Sequence, residues 1–255
     1  MLTWQKNTTT STRNYIVVKL YIGSSSNGED APIEAVYEHT LRQNCPDIDI
    51  TWMRQERGDY WSGYQTHTWP TPFSGFRWVI AEACNFQGRA IYTDCDMINF
   101  RSMEELYNID MEGKPLAARR GKRFGGHEFC VMVIDCEKFQ EYAIPQSRIK
   151  GISEIHQRMI QKFSGNEDLV HPLDEKWNVL DGEDYELDDI HQLHFTNMAT
   201  QPWKPAWFTG QQAPHPRKDV VDLFAQKLDK AIADGYNPDD YIVNEEPVDY
   251  GIIGK

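Results

Sequence analysis

The first ninety residues alternate between strand-like and helix-like segments, and this alternation constrains the fold more than any other feature. Residues 15–22 (YIVVKLYI) are β-branched and aromatic, which predicts a buried strand ending at a polar loop. Pro32 then opens a helix with an apolar face, and residues 49–52 form a second strand. A helix at 76–84 and a strand at 90–93 follow. This order predicts an α/β fold with a mostly parallel central sheet flanked by helices.

The rest of the chain supports a single domain rather than two. Its apolar runs and amphipathic stretches are more irregular, and no repeat or low-complexity segment interrupts them. We therefore expect a polar tail at 1–14, one domain at 15–235 and a second tail at 236–255. The further elements predicted in that domain are strands at 115–118, 129–134 and 191–196 and helices at 152–163 and 220–232.

The charge balance bears on the partners of the chain. Its 26 basic and 39 acidic residues give a formal net charge of −13, and we find no Lys/Arg cluster that would overcome this charge. Such a surface repels phosphate backbones, so we expect no nucleic-acid partner. An acidic protein that handles an anionic substrate needs a metal ion or a few well-placed basic residues to neutralise that substrate locally.

Apolar runs and cysteines bear on the compartment. The longest uninterrupted apolar run, residues 129–134, is far shorter than the roughly 20 residues of a spanning helix, so we expect no transmembrane segment. The polar residues 1–14 do not resemble a secretory signal. Five cysteines without a CxxC pair favour reduced thiols and a cytoplasmic protein.

An Asp-x-Asp motif is the sharpest chemical feature. Asp94 and Asp96 stand where the predicted strand 90–93 ends, and two carboxylates so placed reach one hard cation if the backbone turns there. In open α/β sheets the ligand crevice lies outside the carboxyl ends of the strands. The alternative is a solvated turn, because Asp-x-Asp is a common tripeptide.

A distal segment supplies candidate partners for this motif. His194 ends a predicted strand and would complete a carboxylate and imidazole set suited to Mn²⁺, although His191 competes with it. Lys204, ten residues later, would neutralise a phosphate as a point charge. The loop at 23–28 is flexible and polar enough to approach a nucleotide, but it matches neither a P-loop nor G-x-G-x-x-G.

In this order, the features resemble glycosyltransferase family 8, the glycogenin-like retaining enzymes of the GT-A fold. The resemblance runs from about residue 16 to 207. The segments that carry it are LYIGSSSNGEDA for the donor loop, FSGFRWVIAEACNFQGRAIYTDCDMI for the helix, strand and Asp-x-Asp unit, MEELYNID for its sequel, and KWNVLDG and HFTNMATQPWKPAW for the closing segments.

This resemblance implies a nucleotide-sugar donor, most simply a UDP-sugar, bound through Mn²⁺ or Mg²⁺, and transfer with retention. Asp94, Asp96 and His194 match the metal ligands, and Asp94 thereby also contacts the donor. The resemblance also implies that Lys204 and Arg77 contact the phosphates of the donor. It implies that Gly23, Ser24 and Ser25 face the nucleoside.

The acceptor side departs from the family pattern. Relatives show Asn-x-Gly where this chain has Glu128-Phe129-Cys130, so Glu128 is either a catalytic carboxylate or an ordinary loop acid. Aromatic residues of the loop 60–73 would either stack on an acceptor sugar or close the core. A saccharide, a lipid-linked sugar and a protein remain open as acceptors. The alternative functions are a non-catalytic nucleotide-sugar or carbohydrate-binding protein and a metal-dependent phosphoesterase acting on nucleotide-sugars.

Overall fold

The computed structural model describes residues 17–55, 60–121, 126–208 and 212–243, so the predicted tail at 1–14 lies outside the described residues. Two sheets form in these ranges. The strands of the large sheet are β1 (Lys19–Gly23), β2 (Asp49–Met53), β3 (Arg89–Asp94), β5 (Leu116–Arg120), β6 (His127–Asp135) and β7 (Val170–Leu173). Those of the small sheet are β4 (Met97–Asn99), β8 (Val179–Leu180) and β9 (Gln192–His194).

The large sheet confirms the prediction of a mostly parallel α/β architecture. Its strand order is β2-β1-β3-β6-β5-β7, and β6 alone runs antiparallel to its neighbours. Since Thr93 pairs with Val131, the amino-terminal end of β6 lies beside the carboxyl end of β3. Residues distant in sequence therefore meet at the edge where the Asp-x-Asp motif stands.

The small sheet continues directly from the large one. Asp94 is the last residue of β3, and β4 begins at Met97, so the chain crosses between the sheets at Cys95 and Asp96. The small sheet has the order β4-β9-β8, and Met97 pairs with His194. This register brings the distal histidine to the Asp-x-Asp turn.

Helices cover the sheets as expected of an α/β fold. In α1, Pro32 occupies the first turn, and the buried face includes Ile33, Val36 and Leu41, as the apolar spacing predicts. The last helix, α7, packs against α1 and buries Phe224. The helices are α1 (Ala31–Asn44), α2 (Ile80–Ala83), α3 (Met103–Tyr107), α4 (Cys136–Phe139), α5 (Gln146–Gly151), α6 (Ile155–Phe163) and α7 (Lys218–Ala233).

Three segments differ from the prediction. The helix expected at 76–84 is a 3₁₀ turn, Phe76–Val79, followed by the short α2. The helix expected at 152–163 starts only at Ile155, because Ile152 is extended and ends α5. A 3₁₀ turn at Pro238–Tyr241 packs on α1, so packed structure extends past residue 235. Among the described residues, no helix is both long and apolar enough to cross a membrane.

Candidate functional site

The structure brings Asp94, Asp96 and His194 together at the junction of the two sheets. Because Met97 and His194 are paired, the imidazole lies beside the Asp-x-Asp turn, and His194 Nε2 is 3.2 Å from Asp96 Oδ1. Gln201 donates a hydrogen bond to the other oxygen, Asp96 Oδ2, at 2.9 Å. Three residues that sequence analysis proposed as metal ligands thus share one site, while metal binding itself stays a prediction.

Asp94 is held in place by two buried donors. Arg77 Nη2 lies 3.0 Å from Asp94 Oδ1, and the Tyr92 hydroxyl donates to the same oxygen. Arg77 also donates to the carbonyl oxygens of Ser74 and Phe129. Arg77, implied as a donor-binding residue, therefore lies in contact with the Asp-x-Asp motif, where it fixes the orientation of one carboxylate.

His194 is buried, and its second ring nitrogen has a partner of its own. Nδ1 lies 2.9 Å from Oδ1 of Asn178, which is completely buried. Burial lowers the pKa of His194, but the nearby Asp96 carboxylate and other acidic groups together raise it by more, so the net shift is upward. Without a cation, His194 and Asp96 therefore pair with each other, and a metal must replace that contact.

The electrostatics of the site favour a cation. Burial raises the pKa of Asp96, and the carboxylates of Asp94 and Asp30 add to this effect, although His194 opposes it. Asp96 Oδ1 has the His194 ring as its ion-pair partner, with Nε2 at 3.2 Å. Two carboxylates and an imidazole are a donor set that suits Mn²⁺ or a similar divalent ion. The residues present therefore fit the metal that the fold family implies.

Cys130 is a site residue that the sequence analysis missed. Its Sγ, a carboxylate oxygen of Asp94 and a ring nitrogen of His194 all lie within 4.8 Å of one another. The antiparallel register of β6 beside β3 puts Cys130 level with Asp94. Periodicity alone showed 129–134 only as an apolar strand, so the signal for Cys130 lay in strand pairing, which a single sequence does not reveal.

Lys204 lies between two acidic residues of the loop after β1. Its Nζ is 2.7 Å from Asp30 Oδ1 and 3.4 Å from Glu29 Oε1. Trp203 Nε1 also donates to Asp30 Oδ1, at 2.8 Å. Burial lowers the pKa of Lys204, but Asp30 and Glu29 raise it more strongly, so Lys204 stays charged. The lysine predicted to meet a phosphate thus joins the 200–208 segment to the loop after β1.

The loop after β1 is buried rather than open, contrary to the flexible loop that the sequence suggested. The Ser24 hydroxyl donates to Glu34, and the Ser25 hydroxyl donates to Glu29 at 3.1 Å. Gly23 faces aromatic side chains, since a Cβ there would lie 2.7 Å from atoms of Phe73 and Tyr92. The three residues implied to face a nucleoside are therefore packed against protein in this structure.

Glu128 stands beside the ligand group without being part of it. On β6 it pairs with Arg119, and its Oε2 lies 3.8 Å from Arg119 Nε. Glu128 and Cys130 are the partly exposed positions in an alternating stretch of β6, so they share one face of that strand. Arg119 is buried and also pairs with Glu183 and Glu175. The catalytic role of Glu128 stays a prediction.

The aromatic loop closes the core instead of forming an open platform. Trp61, Tyr64, Trp69 and Phe73 are all buried. The Tyr64 and Phe76 rings lie 4.8 Å apart in an edge-to-face arrangement, typical of core packing. The sequence allowed these rings either to stack on an acceptor sugar or to close the core, and the structure favours closing the core.

The fold of this chain has counterparts among solved structures. The computed model resembles the crystal structure of the apo form of glycosyltransferase GlyE from Streptococcus pneumoniae TIGR4, with a TM-score of 0.59 and 14% identity, over 87% of this chain and 64% of that one. It also resembles the galactosyltransferase LgtC in complex with donor and acceptor sugar analogues, with a TM-score of 0.53 and 11% identity, over 84% and 96% of the two chains. These similarities show the GT-A glycosyltransferase fold and confirm the fold prediction.

The sequence comparison is more distant. The chain is 23% identical over 159 residues to glycosyltransferase GlyA of Streptococcus pneumoniae serotype 4, covering 52% of this chain. The chain spans about a quarter of the length of that curated relative, since 23% of it is matched. No protein-family model matches the chain. These findings are consistent with glycosyltransferase family 8, the family that the sequence resembles.

Proposed function

We propose that this protein is a glycosyltransferase that moves a sugar from a nucleoside diphosphate sugar, most simply a UDP-sugar, to an acceptor, with retention. The observation that carries the proposal is the convergence of Asp94, Asp96 and His194 where the GT-A sheet ends. In open α/β folds this edge is the ligand crevice. The GlyA, GlyE and LgtC similarities support the class of reaction.

The donor side needs positive charge, and the proposed ligands provide for it. Mn²⁺ or Mg²⁺ held by Asp94, Asp96 and His194 would supply Lewis-acid stabilisation of the charge on the leaving nucleoside diphosphate. Arg77 orients the Asp94 carboxylate by gripping one of its oxygens. Asn178 orients His194 from the other side of the ring. The residues of the chain thus fix the ligands before any donor arrives.

Lys204 can contact the diphosphate of the donor while it stays paired with Asp30 and Glu29. An ammonium group has three N–H donors, and Asp30 and Glu29 are its two carboxylate partners. We infer that a remaining donor meets the diphosphate. In this view, Asp30 and Glu29 hold Lys204 charged and in place, so the phosphate finds a pre-oriented cation.

Glu128 is the proposed catalytic carboxylate on the acceptor side. It shares a face of β6 with Cys130, which approaches Asp94. The Arg119 guanidinium lies 3.8 Å from Glu128 Oε2. A Glu128→Gln variant should therefore bind donor normally and lose turnover, because only a step that needs the carboxylate charge is affected.

Calorimetric titration of UDP tests the donor site. We expect binding in Mn²⁺ that disappears in EDTA, and an Asp96→Asn variant that loses cation-dependent affinity by about 100-fold, or about 2.7 kcal/mol. Asp47→Asn, at an exposed aspartate, is the matched control and should bind as wild type. Wild-type affinity in Asp96→Asn contradicts the metal assignment.

Product analysis then tests the reaction. Incubation with a panel of UDP-sugars and candidate acceptors should give a glycosylated product and UDP. Free sugar phosphate together with UMP would instead identify a phosphoesterase, and cation-dependent UDP binding without any product from the panel would favour a non-catalytic binding protein. Either result overturns the transferase proposal.

A further inference from the structure

Cys130 makes this site chemically different from a plain carboxylate and imidazole centre. Its sulfur approaches Asp94 and His194 so closely that one ligand atom from each residue lies within 4.8 Å of the other two. The three residues come from β3, β6 and β9, so both sheets contribute. Cys130 is partly exposed.

The identity of the three ligand atoms decides which cation they prefer. Mn²⁺ and Mg²⁺ favour oxygen and, for Mn²⁺, imidazole nitrogen, whereas a thiolate selects softer ions. One thiolate, one imidazole and one carboxylate are ligands that Zn²⁺ takes in proteins, and Zn²⁺ accepts a tetrahedral site with one open position. For any given ligand set Zn²⁺ also binds more tightly than Mn²⁺.

We propose that Asp94, Cys130 and His194 form a Zn²⁺ site that overlaps the site of the donor's cation. Both ions require Asp94 and His194, so they exclude each other, and Zn²⁺ inhibits at concentrations where Mn²⁺ activates. When Zn²⁺ binds, the Cys130 S–H bond breaks, an S–Zn bond forms and the proton passes to solvent. The Zn²⁺ site itself stands without the proposed function, but the inhibition rests on it.

The charged side chains around the proposed site are compatible with Zn²⁺ replacing the thiol proton of Cys130. Arg77 pairs with Asp94 and donates a hydrogen bond to the carbonyl oxygen of Phe129, the residue before Cys130. Its positive charge therefore lies beside the proposed ligands. Asp94 and the Cys130 thiolate carry two negative charges, and Arg77 offsets one of them, so the site still attracts a divalent ion.

Cobalt absorption tests the ligand set directly. Tag-free protein, kept reduced with a phosphine, is titrated with Co²⁺, the spectroscopic substitute for Zn²⁺. We expect a near-ultraviolet sulfur-to-cobalt charge-transfer band in the wild type and none in Cys130→Ser. Cys45→Ser, at a buried cysteine of the α1 end, is the matched control and should keep the band. A wild-type spectrum without this band overturns the proposal.

Affinity gives the second measurement. Cys130→Ser should bind Zn²⁺ at least about tenfold more weakly than wild type and change Mn²⁺ affinity by less than about twofold, since Mn²⁺ gains little from a thiolate. Unchanged Zn²⁺ affinity contradicts the assignment of Cys130. If Cys130→Ser fails to fold, calorimetry of the wild type in two buffers of different ionisation enthalpy replaces it. Zn²⁺ should release about one proton more than Mn²⁺, and equal release overturns the proposal.

Titrating UDP in the same samples separates this proposal from the proposed function. Loss of the cobalt band with intact Mn²⁺-dependent UDP binding overturns only the Zn²⁺ site. A cobalt band without UDP binding supports the Zn²⁺ site and counts against the nucleotide-sugar donor. Where both hold, Zn²⁺ should displace Mn²⁺ and abolish UDP binding, and Cys130→Ser should resist this inhibition.

Discussion

The side-chain oxygen of Asn178 accepts a hydrogen bond from His194 Nδ1 at 2.9 Å. This bond places the ring proton on Nδ1, so Nε2 faces Asp96 with its lone pair available once the imidazole is neutral. Asn178 is itself anchored, since its main-chain carbonyl accepts a hydrogen bond from buried Arg119. Arg119 thus anchors Asn178, and Asn178 in turn orients the His194 ring.

Removing the Asn178 side chain should weaken the metal site without destroying it. An Asn178→Ala variant leaves His194 free to rotate and change tautomer, so we expect Mn²⁺ affinity to fall by about 10–100-fold. Electron paramagnetic resonance of free Mn²⁺ measures this. Asn108→Ala, at an exposed asparagine after α3, should bind as wild type. Equal Mn²⁺ affinity in both variants contradicts the orienting role.

Arg77 should matter for stability as well as for the donor. An Arg77→Met variant leaves the Asp94 carboxylate buried beside an apolar side chain, and removing one partner of a buried pair costs about 3–5 kcal/mol. Urea denaturation measures the loss. Arg42→Met breaks a more exposed helical pair with Glu38 and should cost less than about 1 kcal/mol. A similar cost for both variants argues against the buried pair.

Glu34 should make stability depend on pH. Burial raises the pKa of Glu34 from 4.5 to about 7, although Arg54 opposes the shift. The folded state therefore binds more protons than the unfolded state between these values, and Glu34's stabilising contribution is complete below 4.5 and lost as pH rises through 7.

We expect the free energy of unfolding of the wild type, relative to Glu34→Gln, to fall by about 3 kcal/mol between about pH 4 and pH 8. Urea titrations of both proteins across this range measure the difference. The glutamine variant lacks the titrating group at position 34 but keeps every other carboxyl group. Subtracting its free energy of unfolding from that of the wild type therefore removes the pH dependence that the other carboxyl groups contribute. A difference that stays flat, or that grows with pH, contradicts the raised pKa.

Gly23 should tolerate no side chain. A Cβ at this position would lie 2.7 Å from Phe73 Cδ2 and from the Tyr92 hydroxyl, which holds Asp94. A Gly23→Ala variant should therefore lose about 1–3 kcal/mol and also weaken Mn²⁺ binding, because Tyr92 must move. Gly151→Ala, where a Cβ meets nothing within 4 Å, should change stability by no more than about 0.5 kcal/mol. Thermal unfolding and Mn²⁺ titration distinguish the two.

Local patterns predicted the parts of the fold that depend on them. The strand predicted at 15–22 corresponds to β1, which begins at Lys19, and residues 15–16 lie outside the described residues. Pro32 stands in the first turn of α1, and Asp94 ends β3. The meeting of Asp96 and His194 was expected from their places at strand ends and from the family resemblance, not from periodicity. Its physical cause is the pairing of β4 with β9, a contact between segments about a hundred residues apart.

The contributions that the sequence did not reveal are those set by long-range register. Cys130 reaches Asp94 only because β6 runs antiparallel beside β3. An apolar run in the sequence does not show whether its strand will lie parallel or antiparallel to a neighbour. Lys204 joins Asp30 only through packing of the 200–208 segment on the loop after β1. Gly75, just before the 3₁₀ turn, makes room for the Trp69 indole, a contact that the local sequence does not reveal.

The crossing of the chain between the sheets gives the candidate cation a mechanical role. Asp94 belongs to the large sheet and His194 to the small one, so an ion held by both residues is a non-covalent cross-link between the two layers. Separating the layers requires losing the ion, which adds about 2.7 kcal/mol to that opening when its concentration is 100 times Kd. Hydrogen exchange of β4 and β9 would therefore slow as cation is added, and chelation would loosen the small sheet first.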